Sequence, residues 1–154
     1  MPCQLPCVPF LLSSTYINAN SLTNLGLGKS LLYMTPGAIL FHFKDHLEWL
    51  NLSYNYFTFL GHLSLYSNNF PPMKNLDTLL IKYSEIYSIH PDTFQPLYNL
   101  KHLDLTGNGL TFVPNGVLLP TLETLDLSFQ NYSTFTLDVF QIPFILGMFQ
   151  SLIF

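Results

Sequence analysis

The side chains best suited to acid–base chemistry in this sequence are His102 and Asp104, which lie two residues apart. In an extended strand, residues at this spacing point to the same face, so an imidazole and a carboxylate could act together. A hydrolytic site would also need a nucleophile or a second carboxylate beside them. The sequence contains neither a G-x-S-x-G segment nor a paired-carboxylate arrangement. We therefore expect no catalytic residues and no enzyme activity.

Two further motifs suggest ligand binding. Gly26-Leu-Gly28-Lys29-Ser30 ends like a phosphate-binding loop, but Thr23 stands where that loop needs its first glycine. His42 and His46 would share one side of a helix and could hold a metal ion, yet no third ligand accompanies them. Only two cysteines are present. We therefore expect neither a metal site nor a cofactor.

Composition and charge narrow the classes of partner. The chain has 154 residues, the size of one domain, and its 49% apolar and 9% charged residues exclude intrinsic disorder. The net charge is -4, and all five basic residues are lysine. Nucleic-acid binding depends on clustered basic side chains, so we do not expect a nucleic-acid partner. No apolar run reaches the roughly 18 residues of a membrane-spanning helix.

The candidate residues are carried by an internal repeat of the form LxxLxLxxN. Complete copies begin at Leu47 and Leu100, and copies with serine or glutamine in the last position begin at Leu22, Leu76 and Leu122. The starts are separated by 25, 29, 24 and 22 residues, which are periods of stacked coil repeats. Another copy, at residues 60–68, begins only 13 residues after residue 47. We interpret it as an insertion in the long repeat, the alternative being a genuine short repeat.

Each repeat predicts one coil of a solenoid. The alternating leucines point inward from a short strand, and stacked coils set these strands side by side as a parallel sheet. The asparagine closes the turn after the strand, and we expect this ladder role for Asn55 and Asn108. Bulky residues that should pack on the opposite, convex wall lie six residues before four of the starts, while the last start has glycine there. These five positions are Tyr16, Phe41, Phe70, Phe94 and Gly116.

The repeats divide the chain into three parts. Residues 1–21 are expected to form a leader or a partial cap, and residues 22–145 form the five repeats. Residues 146–154 are interpreted as a truncated or degenerate repeat starting at Leu146, because Ser151 falls where an apolar residue belongs.

The pattern of residues 22–145 resembles extracellular leucine-rich repeats of the typical class, and its irregular lengths are most similar to a Toll-like receptor ectodomain. The resemblance implies an α/β leucine-rich-repeat solenoid, a horseshoe segment with a parallel concave sheet and loops, 3₁₀ turns or short helices on its convex side. It also implies a ligand-recognition module in innate immunity, outside the cell or in the endosomal lumen as part of a membrane receptor. Its partners would be a protein, peptide or lipid-like microbial ligand and a receptor dimer partner. Two alternatives stay open: a structural or adhesion protein of the extracellular matrix, and an intracellular leucine-rich scaffold.

Outward strand positions define a candidate binding surface, the concave strip, because repeat proteins bind through such faces. Trp49 and Leu80 are its apolar anchors, and exposed Trp is enriched at binding hot spots. The strip comprises Trp49, Asn51, Thr78, Leu80, Lys82, His102, Asp104, Thr124 and Asp126, and Ser53, Thr106 and Ser128 extend it. Two N-x-[ST] sequons, at Asn51 and Asn131, are candidate glycosylation sites.

Overall fold

Short parallel strands are the main elements of this computed structural model, which describes residues 22–57, 59–60, 70–130 and 151–153. In chain order the strands are β1 (Asn24–Gly26), β2 (Trp49–Asn51), β3 (Phe59–Leu60), β4 (Thr78–Leu80), β5 (Ser88–Ile89), β6 (His102–Asp104), β7 (Thr124–Asp126) and β8 (Ser151–Ile153). Six of them form one sheet in the order β1-β2-β4-β6-β7-β8, with every neighbouring pair parallel. The first five of these strands each begin two residues after a template start, so one repeat supplies one strand.

The core is a stack of the template leucines. Leu50, Leu79, Leu103 and Leu125 lie opposite one another across the sheet and are buried. The apolar residues two positions later, from Leu52 to Leu127 in the successive coils, are buried as well. Leu25 and Leu27, in the first described coil, are only partly buried although they pack against this core. Alternate inward side chains on parallel strands confirm the predicted leucine-rich-repeat solenoid.

The convex segment between β1 and β2 is a short helix, α1 (Gly37–Phe43). Leu40 and Phe43 are buried, whereas Phe41 is 59% exposed. The prediction that Phe41 packs on the convex wall is therefore wrong. Helical residues three apart share a face, and the residue after Leu40 is turned away from it. In the described part of the chain, no helix is long and apolar enough to span a membrane.

In the next two coils the predicted convex residues do reach the core. Phe70 and Phe94 are fully buried, and their ring centroids lie 5.8 Å apart. The last repeat has Gly116 at this position, inside a 3₁₀ helix (Asn115–Val117) whose Val117 is buried instead. A Cβ on Gly116 would lie 1.9 Å from the carbonyl oxygen of Pro91. A bulky residue therefore cannot occupy this position without moving the preceding coil.

The long repeat carries an additional strand outside the main sheet. β3 pairs with β5 in a separate two-stranded parallel sheet, whereas β2 is hydrogen-bonded directly to β4. No position is left between β2 and β4 for a further strand. This arrangement agrees with residues 60–68 being an insertion, although residues 61–69 lie outside the described ranges.

The register of β8 differs from the expected one. Leu152 lies opposite Leu125, and Ser151 lies opposite Thr124. Leu125 lies three residues after the repeat start at Leu122, and Leu152 occupies the same place in its strand. The aligned repeat therefore starts at position 149, whereas the sequence pattern placed this start at 146.

Candidate binding surface

Strand register arranges the concave strip in two rows. The first row runs Trp49, Thr78, His102, Thr124, and the second runs Asn51, Leu80, Asp104, Asp126. All eight side chains are partly exposed, because their strands turn the alternate leucines into the core. Trp49 and Leu80 sit on neighbouring strands, one row apart. The structure thus brings the two predicted apolar anchors together on one open face.

Three members of the second row have a structural role that the sequence reasoning missed. Asn51, Asp104 and Asp126 each accept a hydrogen bond through Oδ1 from the backbone N–H two residues later, at 2.9, 3.0 and 2.9 Å. This Asx turn ends each strand and starts the next bend. The sequence signal that could have predicted these turns is an Asn or Asp at the same place in each of the three repeats.

The residues that follow these turns are not all part of the surface. Ser53 and Thr106 are buried, which corrects the expectation that they extend the concave strip. The Asx turn bends the backbone at this point, so strand alternation no longer sets the direction of the side chains. Ser128, at the same place in the last described coil, stays partly exposed.

The coil of β4 lacks the Asx acceptor, and its neighbour replaces it. Leu80 occupies the second-row position and has no side-chain oxygen. The N–H of Lys82, two residues later, instead donates to Oγ of Ser53 in the preceding coil, at 3.0 Å. The buried Ser53 hydroxyl therefore accounts for an apolar residue being tolerated at position 80.

The only fixed positive charge predicted on the strip is already paired. Nζ of Lys82 lies 2.5 Å from Oδ2 of Asp104. This hydrogen bond to the carboxylate raises the pKa of Lys82 above its ordinary value, against the opposing effect of partial burial. In the first row, Nδ1 of His102 lies 2.8 Å from Oγ1 of Thr124. Asp126 forms no ion pair within the described residues, so the strip is acidic at that end.

Beside the strip, a buried ladder of polar side chains closes the turns. Oδ1 of Asn55 accepts from the N–H groups of Ser30 and Leu32, and its Nδ2 donates to the carbonyls of Leu27 and Leu52. Asn108, two repeats further along the chain, makes the same four bonds. Its Oδ1 accepts from the N–H groups of Ser84 and Ile86, and its Nδ2 donates to the carbonyls of Ile81 and Leu105. Ser84 and Gln130 occupy the ladder position in two further coils and bond neighbouring backbone groups.

The sequons have different outcomes. Asn131 lies outside the described residues. Asn51 is on the concave sheet, opposite Gly26 on one side and Leu80 on the other. A glycan attached there would cover the apolar anchors, so glycosylation of Asn51 and ligand binding beside it exclude each other on the same molecule.

The remaining candidates do not come together as a site. His42 lies on α1 and His46 after it, and both are exposed. No three His, Cys, Asp or Glu side chains in the described ranges are grouped to hold a metal ion. The Gly26–Ser30 segment is the turn after β1, and the N–H groups of Leu27 and Lys29 donate to the next coil. These donors serve the solenoid and are not available to cradle a phosphate.

Comparison with known proteins agrees with this architecture. Residues 74–132 match the leucine rich repeat family. This match and the parallel solenoid agree on a leucine-rich-repeat fold for these residues. Leucine-rich repeat-containing G-protein coupled receptor 5 of Rattus norvegicus is 37% identical over 92 residues, which are 58% of this chain and 9% of the receptor. The chain therefore spans a small fraction of that relative's length. The leucine-rich-repeat fold is typically a non-enzymatic binding scaffold.

Proposed function

We propose that this chain is the ligand-recognition part of a receptor-type leucine-rich-repeat protein, with a protein or peptide ligand docking on the concave strip. The observation that carries the proposal is that Trp49 and Leu80 lie on neighbouring strands of one open sheet face, diagonal to each other. The core of the solenoid is complete without either side chain, since the alternate leucines fill it. Trp49 is partly exposed, and Trp is enriched at binding hot spots.

The polar residues around these anchors favour a peptide ligand. The hydroxyl groups of Thr78 and Thr124 already bond Asp77 and His102, and Asp126 offers a carboxylate that forms no ion pair within the described residues. Lys82 is engaged by Asp104, so little positive charge is left for an anionic group. Small polar groups around an apolar centre suit backbone amides and uncharged or basic side chains. A lipid-like ligand is the other chemistry that the two anchors admit.

The finer assignment is a Toll-like-receptor type of ectodomain in innate immunity, facing the extracellular space or the endosomal lumen. Two observations support it: the irregular repeat lengths, and the likeness to a rat protein whose name is that of a receptor. A matrix adhesion protein and an intracellular scaffold remain the alternatives. Glycosidase treatment of protein from its native cells distinguishes the intracellular scaffold from the two extracellular hypotheses. A fall in mass supports passage through the secretory pathway, and an unchanged mass together with a cytosolic fraction contradicts it.

A displayed library of random dodecapeptides, selected on the immobilised wild-type chain, tests the binding surface. Selected peptides should lose about tenfold or more in affinity for Trp49→Ala and for Leu80→Ser, since hot-spot truncation costs about 2 kcal/mol or more. Tyr98→Ser is the matched control, because Tyr98 is exposed in the segment before the next repeat start. Peptides that bind all four proteins equally would refute the concave strip as the site.

A further inference from the structure

A second surface follows the edge of the solenoid where each strand turns. The residue seven positions after every template start has a positive φ: Lys29 (58°), Tyr54 (60°), Tyr83 (46°), Gly107 (69°) and Phe129 (59°). We call these five residues the edge row. Residues other than glycine seldom adopt this conformation. Each edge-row residue lies directly before the buried ladder residue, at the point where the coil turns away from the strand. This turn directs the side chain of the edge-row residue outward. Tyr54 is 49% exposed and Tyr83 is 44% exposed.

The tyrosines of the edge row stack on each other. The rings of Tyr54 and Tyr83 lie 5.4 Å apart between centroids, with 14° between their planes. Tyr83 also covers Gly107, where an added Cβ would lie 2.2 Å from the ring. The stack is therefore held at one end by close contact with the next coil, and its other end is the outer face of Tyr54.

That outer face already holds a cation. Nζ of Lys29 lies over the Tyr54 ring, 5.3 Å from its centroid. Lys29 itself is exposed, and within the described residues it forms no ion pair, so only the ring holds its ammonium group. An exposed cation–π contact of this kind is weak. The Lys29 ammonium can therefore be exchanged for another cation at little cost.

The charge of the molecule favours a cationic partner at this place. The net charge is -4. Lys82 lies near Tyr54 but is neutralised by Asp104. Glu85, which is exposed two residues after Tyr83, forms no ion pair in the described part of the chain. Apart from Lys29 itself, the surroundings of the ring therefore do not oppose an incoming positive charge.

We propose that the Tyr54 face of the edge row binds a lysine or arginine side chain of a protein partner, and that this side chain displaces Lys29. The partner brings a basic segment, its cation replaces the ammonium over the ring, and the tyrosine stack supplies rigid apolar area beside it. The inference does not depend on the proposed function, because it uses a different surface from the concave strip.

Fluorescence anisotropy with three labelled peptides on the full chain tests this proposal. The peptides alternate glycine with arginine, glutamine or glutamate. The arginine peptide should bind, and Tyr54→Leu should weaken it about two- to fivefold, since leucine keeps the bulk and loses the π face. Tyr54→Phe should bind like the wild type. Lys29→Ala should strengthen binding by a similar factor because it empties the ring face, whereas Lys74→Ala, the charge-matched control, should have no such effect.

Several results would overturn the proposal. Equal binding of the glutamine peptide would show that no cation is recognised, and an unchanged affinity of Tyr54→Leu would show that the ring is not the site. Loss of binding in Leu80→Ser alone would assign the peptide to the concave strip. If Tyr54→Leu does not fold, the two lysine variants still test the proposal. Equal effects of Lys29→Ala and Lys74→Ala on the affinity would show that only the long-range charge of the chain attracts the peptide, and this would refute a site at the Tyr54 ring.

Discussion

At the scale of single residues, buried side chains provide hydrogen bonds that the short strands cannot. Strands of three residues leave the turns after them without regular partners, and Asn55 and Asn108 supply two acceptor and two donor contacts each to those turns. Both are buried, so no water replaces a lost partner. The repeat template predicted these two positions because asparagine is the residue whose amide can do both.

Asn108→Ala should therefore lower the free energy of unfolding by on the order of 1–3 kcal/mol, since it leaves buried backbone groups unpaired. Urea denaturation followed by circular dichroism measures the change. Asn99→Ala is the control, because the Asn99 side chain is exposed and bonds only the carbonyl of Lys74. A loss below a few tenths of a kcal/mol for Asn108→Ala would mean that the ladder does not stabilise this turn.

The Ser53 hydroxyl offers a second test at the same scale. Ser53→Ala removes the acceptor for the N–H of Lys82 and should cost about 1–2 kcal/mol. Leu80→Asn places an Asx acceptor two residues before that N–H, as Asp104 and Asp126 do in their coils. The double variant should therefore lose less stability than the sum of the two single variants. Additive losses would show that the two oxygens do not serve the same N–H group.

The sequence allowed part of this residue-scale picture to be predicted. Period-two alternation is enough to direct Leu103 inward and His102 outward. The Asx turns, the buried Ser53 and the positive φ of Tyr54 depend on how the chain bends after the strand. The template specifies which residues point to the core and does not specify that bend. The sequence shows that the edge-row residues recur at a constant distance from the template starts. Their positive φ follows only from the way the coils stack.

At the scale of elements, the strand side of each coil is regular and the convex side is not. The template determines the strands, whose register is constant from β1 to β7. The convex segments differ in form: α1 in one coil, a 3₁₀ helix in another. A bulky residue at one fixed distance from the start therefore cannot meet the core in every coil. Phe94 does so, and Phe41 does not.

The orientation of α1 gives an element-scale prediction. Leu40→Ala should cost about 2–5 kcal/mol, because Leu40 is fully buried and the change leaves a cavity. Phe41→Ala should change stability by less than about 0.5 kcal/mol, as expected for an exposed position. Thermal unfolding of the two variants measures the difference. If Phe41→Ala proves the more destabilising, the helix faces the core through its other side.

At the scale of the whole molecule, the described part of the chain contains all five lysines, and every one of them has a partner. Lys29 lies over Tyr54, and Lys44 and Lys74 share Asp45. The other two pairs are Lys82 with Asp104 and Lys101 with Glu123. With no arginine and a net charge of -4, the molecule presents scattered, engaged cations on an acidic surface. This distribution attracts a basic segment and repels a polyanion.

Nucleic acid should accordingly bind this chain poorly, and the acidic lumen of an endosome should not change that. Lys82, the lysine of the concave strip, is already committed to Asp104. A phosphate would have to displace that carboxylate without an arginine to form a bidentate contact. Titration of labelled single-stranded RNA and DNA at low salt and about pH 5.5 measures the affinity. Submicromolar binding that Lys82→Ala and His102→Ala both abolish would refute this prediction and make the concave strip a nucleic-acid site. Binding that persists in both variants would place the nucleic acid elsewhere on the molecule, and the argument from paired lysines would then fail as well.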